Sequence, residues 1–257
     1  MRHTLAGVIV GVLLILAVIL SAGTASLARF LDPVSLAIIL GGIVSAGLVS
    51  FRASQIRAMM GAFRLIFRDD PSIEPEIAQL VKFASDYVKK DLRAAEQTIA
   101  QTASPFLKLG FQLVLDNTPL DDMMRILEWR IRHLKEDESS TARCFKSLGA
   151  AAPAFGMIGT LAGLIAMLAD LKSADIVLIS GNMALALTAT FYGVVLAYLV
   201  FKPISLKLEQ RTYRRVFMLH VLMDGIVLVR VGRGPAMIED NLRHLLMENR
   251  DEVRGVD

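Results

Sequence analysis

Four stretches of the sequence lack charged side chains over a length that matches the apolar core of a membrane. They are residues 5–22, 34–51, 147–169 and 181–201. A helix needs roughly 17–25 mostly apolar residues to cross a bilayer, so each stretch is long enough to span one. The sequence therefore predicts an all-α polytopic membrane protein with four transmembrane helices.

The distribution of basic residues predicts the orientation of these helices. Residues 52–146 contain 15 Lys and Arg and residues 202–257 contain ten, whereas the short loops 23–33 and 170–180 contain one each. Basic segments next to membrane helices stay in the cytoplasm. We therefore expect the N-terminus, the long middle region and the C-terminal tail to be cytoplasmic.

The first apolar stretch has a second interpretation. Arg2 and His3 precede it, and small residues follow at 21–23, as in a cleavable signal peptide. Its apolar run is long for such a peptide, so we interpret it as a membrane helix. Cleavage there would leave the rest of the topology unchanged.

These features divide the chain into four predicted parts. Residues 1–51 carry transmembrane helices 1 and 2, and residues 52–146 form a helical cytoplasmic domain. Residues 147–203 carry transmembrane helices 3 and 4, and residues 204–257 form a helical cytoplasmic tail. Asp32-Pro33 is a favourable helix start, because it combines an N-cap acceptor with proline in the first turn.

Within the middle region, helical spacing of apolar residues predicts a helix from Ile77 to Ile99, with charged residues on its opposite face. That face carries Lys82, Asp86, Lys89, Arg93 and Glu96, with Lys90 beside it. It is either a solvated face or a docking surface for a partner. A second helix is expected to begin at Thr118-Pro119 and run past Trp129, which we expect to pack in the domain, into the third membrane stretch.

Several functions are disfavoured by composition. The single Cys144 cannot form an intramolecular disulfide, and the four histidines have no metal-ligand spacing. The net charge of +3 gives no reason to expect nucleic acid as a partner. Because the sequence has no nucleophile–base pair or phosphate-binding loop, we expect no catalytic residue, metal site or cofactor, and hence no enzyme.

The third apolar stretch is rich in small residues, which allow membrane helices to approach closely. Ala152-xxx-Gly156 and Gly159-xxx-Gly163 are spaced for such contacts, and Pro153 leaves a backbone carbonyl without its helical partner. Hydroxyl groups lie at Thr160 in this stretch, and at Thr188, Thr190 and Tyr192 in the fourth. Each threonine either bonds back to its own helix or lines an ion path.

None of the four stretches contains Asp, Glu, Lys, Arg or His. Proton relays and cation sites in membranes usually depend on an ionisable residue. If this chain helps an ion to cross, the carboxylate must come from another chain, which predicts a hetero-oligomer.

With these residues in view, the chain resembles the MotA/PomA family of flagellar motor stator subunits. Residues 152–164 (APAFGMIGTLAGL) are similar to the family's third-helix signature, and residues 190–193 (TFYG) and 201–204 (FKPI) to its fourth-helix pattern. Asp32, Ser35 and residues 41–42 resemble its second-helix start, and residues 223–225 its tail. The resemblance covers nearly the whole chain.

The resemblance implies a subunit of the bacterial inner membrane that forms a pentameric ring around two helices of a MotB/PomB-type partner. That partner supplies the cation-binding aspartate and anchors to peptidoglycan. Ion flow moves the ring, whose cytoplasmic domain pushes the rotor protein FliG through charged contacts. The transported ion is H⁺ or Na⁺, and no cofactor is implied.

The resemblance also assigns roles by position. Lys89 or Lys90, together with Glu96, matches the rotor contact, with a small alignment gap near Asp91, and Arg93 is expected to share their face. The other matched positions are the ion-path residues Thr160, Ala189, Thr190 and Tyr192 and the coupling prolines Pro153 and Pro203. The helix-packing residues Gly156, Gly159 and Gly163 are predicted from the small-residue spacing instead.

One departure bears on the ion. Sodium-driven members carry two adjacent threonines where this chain has Ala189-Thr190. Thr188 does not replace the missing hydroxyl, because one residue turns a helix by about 100°. Sodium needs several oxygen ligands, so we favour protons, with sodium as the alternative. An ExbB/TolQ-like proton-driven ring subunit and a non-conducting membrane scaffold are the other interpretations.

Overall fold

The computed structural model describes residues 32–65, 72–171 and 175–254, together with Val10, Gly11, Leu13 and Ala17. In these residues the regular structure is helical throughout, as the sequence predicts. Beyond the isolated N-terminal residues, the helices are α1 Pro33–Ser50, α2 Ala53–Leu65, α3 Glu74–Val88, α4 Leu92–Gln101, α5 Pro105–Leu115, α6 Leu120–Asp170, α7 Ile176–Val195, a π-helical segment Leu196–Phe201, α8 Lys202–Arg230 and α9 Pro235–Arg254.

Three described helical runs are long and apolar enough to cross a membrane. They are Pro33–Ser50, Leu120–Asp170 and the continuous run Ile176–Arg230. They correspond to the second, third and fourth apolar stretches, so the all-helical, membrane-type fold is confirmed. The first stretch, 5–22, falls mostly outside the described residues, and the number of four spans stays a prediction.

The helix start expected at Asp32-Pro33 is confirmed. The Asp32 carboxylate accepts hydrogen bonds from the backbone N–H groups of Val34 (3.3 Å) and Ser35 (2.9 Å). Asp175 caps α7 in the same way, accepting from the Val177 N–H at 2.9 Å. In both cases a carboxylate satisfies amide groups that the first helical turn leaves without a partner.

The single helix predicted from Ile77 to Ile99 is wrong. Helix α3 ends at Val88, Lys90 adopts a left-handed conformation (φ 58°), and α4 begins at Leu92. The Asp91 carboxylate accepts from the Ala94 N–H at 3.1 Å and caps the new helix. Apolar spacing continued across this turn because both helices bury residues in one core, so spacing alone did not reveal the break.

The helix expected from Thr118-Pro119 into the third apolar stretch is confirmed as α6. Trp129, however, does not pack in the domain: it is 57% exposed and its ring stacks on that of His133, with the centroids 5.3 Å apart. The predicted tail helices are also present, as α8 and α9, with the turn between them at Gly232 (φ 81°).

The π-helical segment Leu196–Phe201 ends two residues before Pro203. Proline has no N–H to bond the carbonyl four residues earlier, and its ring crowds that carbonyl. A π turn widens the helix and is a recognised way to accommodate such a defect. The helix therefore continues from α7 through the π-helical segment into α8, which contains Pro203, without ending.

The chain forms two compact units. Unit 1 comprises residues 1–69 and 139–209, and unit 2 comprises residues 70–138 and 210–257. Each unit is thus built from two separate chain segments. The predicted membrane boundaries at residues 51, 146 and 203 stay predictions.

Unit 2 has an apolar core that combines α3, α4, α5, the first part of α6, and the C-terminal helices α8 and α9. The rings of Phe83 and Phe111 stack with centroids 4.0 Å apart. Gly110 allows Ile226 to approach closely, since a Cβ at position 110 would lie 2.3 Å from the Ile226 Cδ1 atom. The C-terminal tail is therefore part of the core of unit 2.

Candidate functional site

In unit 1, α6 and α7 pack closely through the glycines that the sequence marked as helix-packing residues. A Cβ at Gly156 would lie 3.2 Å from the Ala189 carbonyl oxygen, and one at Gly163 would lie 2.7 Å from the Asn182 carbonyl oxygen. A Cβ at Gly159 would lie 2.5 Å from the Ala189 Cβ atom. Gly159 and Gly163 therefore leave no room for a Cβ atom, and Gly156 makes a tight contact.

Gly193 is a fourth close contact between these helices, which the sequence reasoning missed as a packing residue. A Cβ there would lie 2.7 Å from the Ala152 carbonyl oxygen and 3.3 Å from the Pro153 Cα atom. The sequence signal for this contact was the glycine itself, which ends the fourth-helix pattern at residues 190–193. Pro153, which the resemblance assigns to coupling, thus lies at the α6–α7 contact, whereas Pro203 follows the π-helical segment.

The hydroxyl groups of Thr160 and Thr190 are hydrogen-bonded to each other across this contact. The Thr160 hydroxyl also lies 3.0 Å from the Gly156 carbonyl oxygen and 3.2 Å from the Ala186 carbonyl oxygen. A hydroxyl has one proton, so Thr160 donates to a carbonyl and accepts from Thr190. The Thr190 side chain is exposed on the surface of this chain. The pair therefore presents oxygen atoms at the edge of the α6–α7 contact.

A second polar cluster joins α1 to α7. The buried hydroxyls of Ser35 and Thr188 are 2.8 Å apart, and the Ser35 hydroxyl also bonds the Asp32 carboxylate. The Tyr192 hydroxyl accepts from the Asp32 backbone N–H at 3.1 Å. Among these residues the resemblance placed only Tyr192 in the ion path, while the hydroxyl of Thr188 left both a bond to its own helix and an ion-path role open. The available sequence signal for this cluster was a serine, Ser35, three residues after the N-cap residue Asp32.

Ala189 lies between these two clusters in sequence but takes part in neither. Its side chain is fully buried against Gly159. The Thr188 hydroxyl turns to Ser35 and to its own helix, at 2.9 Å from the Ala184 carbonyl oxygen. Thr188 therefore supplies no hydroxyl at the position of Ala189.

The four residues expected at the rotor contact are all exposed, but they do not share one helix face. Lys89 and Lys90 lie in the turn after α3, and Arg93 and Glu96 lie on α4. Asp86, which was placed on the same stripe, instead accepts a hydrogen bond from the Thr98 hydroxyl at 3.0 Å and links α3 to α4. The charged surface is thus built around a turn, and it is held in place by this link.

Two further observations limit the chemistry of the described residues. They contain no group of three or more His, Cys, Asp or Glu side chains that could hold a metal ion. Burial raises the pKa of the Cys144 thiol, while the charge of neighbouring Arg143 acts in the opposite direction. A buried thiol with a raised pKa is a poor nucleophile at neutral pH.

Residues 98–220 of the chain match the model of the MotA/TolQ/ExbB proton channel family. The chemotaxis protein PomA of Vibrio alginolyticus is 32% identical over 254 residues, which cover 96% of this chain and 96% of that protein. The similarity therefore extends over both units.

Two solved structures are similar in fold. The structure of MotAB from C. jejuni matches with a TM-score of 0.83 and 23% identity, covering 95% of this chain and 94% of that chain. The flagellar MotAB stator complex from Bacillus subtilis matches with a TM-score of 0.78 and 25% identity, covering 97% of this chain and 98% of that chain.

Proposed function

The chain belongs to the MotA/PomA family, and on that premise we propose that it is a flagellar motor stator subunit of the bacterial inner membrane. The observation that carries the proposal is the Thr160–Thr190 hydroxyl pair on two closely packed helices whose apolar stretches contain no ionisable side chain. Such a surface can line an ion path, but it cannot bind a cation strongly by itself.

The missing carboxylate comes from a partner in this proposal. A MotB/PomB-type subunit supplies a membrane aspartate opposite the exposed Thr190 side chain, and five copies of this chain surround two such partners. The support is the similarity to two solved structures described as MotAB. The pentameric stoichiometry follows from the family resemblance.

The transported ion in this proposal is the proton, with sodium as the alternative. A proton needs a carboxylate and a path of water and hydroxyl groups, whereas sodium needs several oxygen ligands at once. Support comes from Ala189, which is buried against Gly159 and offers no oxygen beside Thr190. Thr160 and Thr190 remain as oxygen ligands if the ion is sodium.

The proposed topology has four membrane spans, with both termini and the regions 52–146 and 204–257 in the cytoplasm. The exposed charges at Lys89, Lys90, Arg93 and Glu96 then face the cytoplasm, where they contact the rotor protein FliG. Ion flow moves the ring, and the α6–α7 contact at Pro153, together with the π turn before Pro203, is where the helices can adjust.

Deletion of the gene tests the proposal. Cells should assemble flagellar filaments that do not rotate, and the wild-type gene supplied in trans should restore swimming. Absence of filaments, or unimpaired swimming in a strain without a second stator gene set, would contradict the stator assignment.

The ion is tested separately by measuring swimming without sodium and then with a protonophore in sodium buffer. Proton coupling predicts swimming in the first condition and paralysis in the second. Swimming that needs sodium and resists the protonophore would show that the proton assignment is wrong.

A further inference from the structure

The four residues expected at the rotor contact lie on two helices, so their arrangement depends on how α3 and α4 are held together. All four are exposed, and all lie in the chain between Asp86 and Thr98, whose side chains are hydrogen-bonded to each other. They are Lys89, Lys90, Arg93 and Glu96. The bond between Asp86 and Thr98 therefore closes the segment that carries every one of these charges.

Thr98 supplies the donor of this bond from a buried position. Its residue is 3% exposed, and its hydroxyl donates to the Asp86 carboxylate at 3.0 Å. The bond joins the second half of α4 to the last turn of α3. A hydrogen bond to an ionised acceptor is roughly twice as strong as one between neutral groups. Because Thr98 is uncharged and buried, any effect that it has on a partner must act through other residues.

Asp86 also takes part in the backbone of the turn. Its carbonyl oxygen accepts from the Asp91 N–H at 3.1 Å, and between them Lys90 adopts its left-handed conformation. The Asp91 carboxylate in turn caps α4 through the Ala94 N–H. These backbone bonds fix the turn itself, whereas the Thr98 side chain fixes the direction in which α4 leaves it.

Helix α4 depends on such contacts because it is short. It has ten residues, and isolated helices below about 12–15 residues are marginal in water. Its buried residues are Ala95, Thr98 and Ile99, so two apolar side chains and one hydroxyl hold it in place. The core of unit 2 also includes residues of α3, α5, α6, α8 and α9. Loss of the Thr98 hydroxyl should therefore loosen α4 without unfolding the unit.

We propose that Thr98 is a positioning residue for the rotor contact. Its hydroxyl, bonded to Asp86, keeps the charged side chains of α4 in a fixed arrangement with those in the turn after α3. A binding surface keeps its geometry only where packing and supporting hydrogen bonds hold the residues that display it. The inference rests on the proposed function, since it concerns the surface that contacts the rotor protein there.

The test measures motor torque and amide exchange in the same variants. Thr98→Val keeps the branched shape and removes the donor, whereas Thr98→Ser keeps the donor. Loss of one charge-assisted hydrogen bond should shift the equilibrium between held and released α4 by about tenfold or more. Amide exchange in residues 92–101 of the purified complex should therefore accelerate in the valine variant. Stall torque, measured from beads on single motors, should fall in that variant and stay near wild type in the serine variant.

Thr102→Val is the matched control. Thr102 is also buried, and its hydroxyl donates to the Thr98 carbonyl oxygen at 2.7 Å, so this bond stays at the end of α4 and does not reach α3. The valine removes one buried hydroxyl bond without releasing α4 from its neighbour. Torque should stay near wild type. A loss equal to that of Thr98→Val would mean that both hydroxyls serve only general stability, and the positioning role would be wrong.

A double-mutant cycle separates positioning from stability. The background is Glu96→Gln, which removes one charge of the contact and leaves the link intact, with Arg93→Gln as a second background. If Thr98 acts through these charges, Thr98→Val should reduce torque by a smaller factor in either background than in the wild type, because coupled changes are not additive. An equal factor would overturn the inference. If the valine variant does not accumulate, Thr98→Ala takes its place, since alanine favours the helix.

Failure of this inference can be distinguished from failure of the proposed function. If Lys90→Glu and Glu96→Lys leave the torque unchanged, the rotor contact is wrong and the positioning role is wrong with it. If those reversals lower the torque but Thr98→Val does not, the rotor contact stands and only the positioning role is overturned. Faster amide exchange with normal torque has the same meaning, because the link would then be structural alone.

Discussion

Three consecutive residues of α7 contact three different neighbours. Thr188 bonds Ser35, Ala189 packs against Gly159, and Thr190 bonds Thr160. This arrangement follows from the helical turn of about 100° per residue. At the scale of single residues, the hydroxyl at position 188 therefore contacts α1, whereas the one at position 190 contacts α6.

The Thr190 hydroxyl can be removed with little change in shape. Thr190→Val keeps the branched side chain, whereas Thr190→Ser keeps the hydroxyl. Loss of one hydrogen bond of about 1 kcal/mol in the ion path should lower ion flux about fivefold in the valine variant. The serine variant should retain most of the flux. Flux into vesicles that contain the assembled complex measures both, and equal flux in the two variants would remove Thr190 from the path.

Gly193 and Gly41 offer a matched pair of substitutions. A Cβ at Gly193 would lie 2.7 Å from the Ala152 carbonyl oxygen, whereas one at Gly41 would meet no described atom within 4 Å. Gly193→Ala should therefore destabilise the α6–α7 contact by about 1–3 kcal/mol, as overpacking does. Gly41→Ala should leave the melting temperature of the detergent-solubilised protein unchanged. Equal melting temperatures for the two variants would contradict the close contact.

Cys144 provides a pH-dependent readout. Burial raises the pKa of its thiol, so the reactive thiolate forms at higher pH in the folded chain than in the unfolded chain. Labelling by iodoacetamide should be slow at neutral pH, increase as the pH rises through the raised pKa, and become fast in denaturant. The control is Arg143→Cys in a Cys144→Ala background, since position 143 is exposed. Equal labelling rates at both positions would contradict the burial.

At the scale of helices, the sequence predicts where a helix begins better than where a helical pattern is interrupted. Asp32-Pro33 and Thr118-Pro119 carry their own capping signals, which act within one turn. The break at Lys90 was hidden, because Ala95 and Ile99 keep the apolar spacing of the preceding helix while facing the same core. The Ser35–Thr188 contact could not be predicted either, because it depends on how α1 packs against α7, which spacing along one helix does not define.

The turn between α3 and α4 makes charge reversal a test of the rotor contact. Lys90→Glu and Glu96→Lys each reverse the charge of an exposed side chain. Glutamate and lysine are equally compatible with the left-handed backbone conformation at position 90. The free energy of unfolding should therefore change by no more than about 0.5 kcal/mol. The amount of protein in the membrane should stay normal, while swimming should be strongly reduced. Lys108→Glu on α5, also exposed, should swim normally. Normal swimming in both turn variants would contradict the assignment.

At the scale of the whole molecule, α6 limits the possible topologies. Its 51 residues extend about 75 Å at 1.5 Å per residue, far more than a bilayer core of roughly 30 Å. The helix must therefore extend beyond the membrane, and its charged first part must lie in water. The expected orientation places Glu136 in the cytoplasm and Leu171, just after the helix, on the opposite side.

Cysteine labelling tests this orientation, because the only native cysteine can be replaced. In a Cys144→Ala background, a membrane-impermeant maleimide should label Leu171→Cys in intact spheroplasts and leave Glu136→Cys unlabelled. Both native side chains are exposed, so both cysteines should react after permeabilisation. Labelling of Glu136→Cys before permeabilisation would show that the proposed topology is inverted.

The discontinuous make-up of unit 2 also has a consequence for synthesis on the ribosome. Its first segment, 70–138, is translated early, but its core needs Leu222 and Ile226 from the second segment, which begins at residue 210. Buried surface on the early helices thus stays uncovered until nearly the whole chain has been translated. The unit that carries Lys89, Lys90, Arg93 and Glu96 is therefore the last to be completed, and a ribosome that stalls late in the message releases a chain in which unit 1 has all its residues and unit 2 does not.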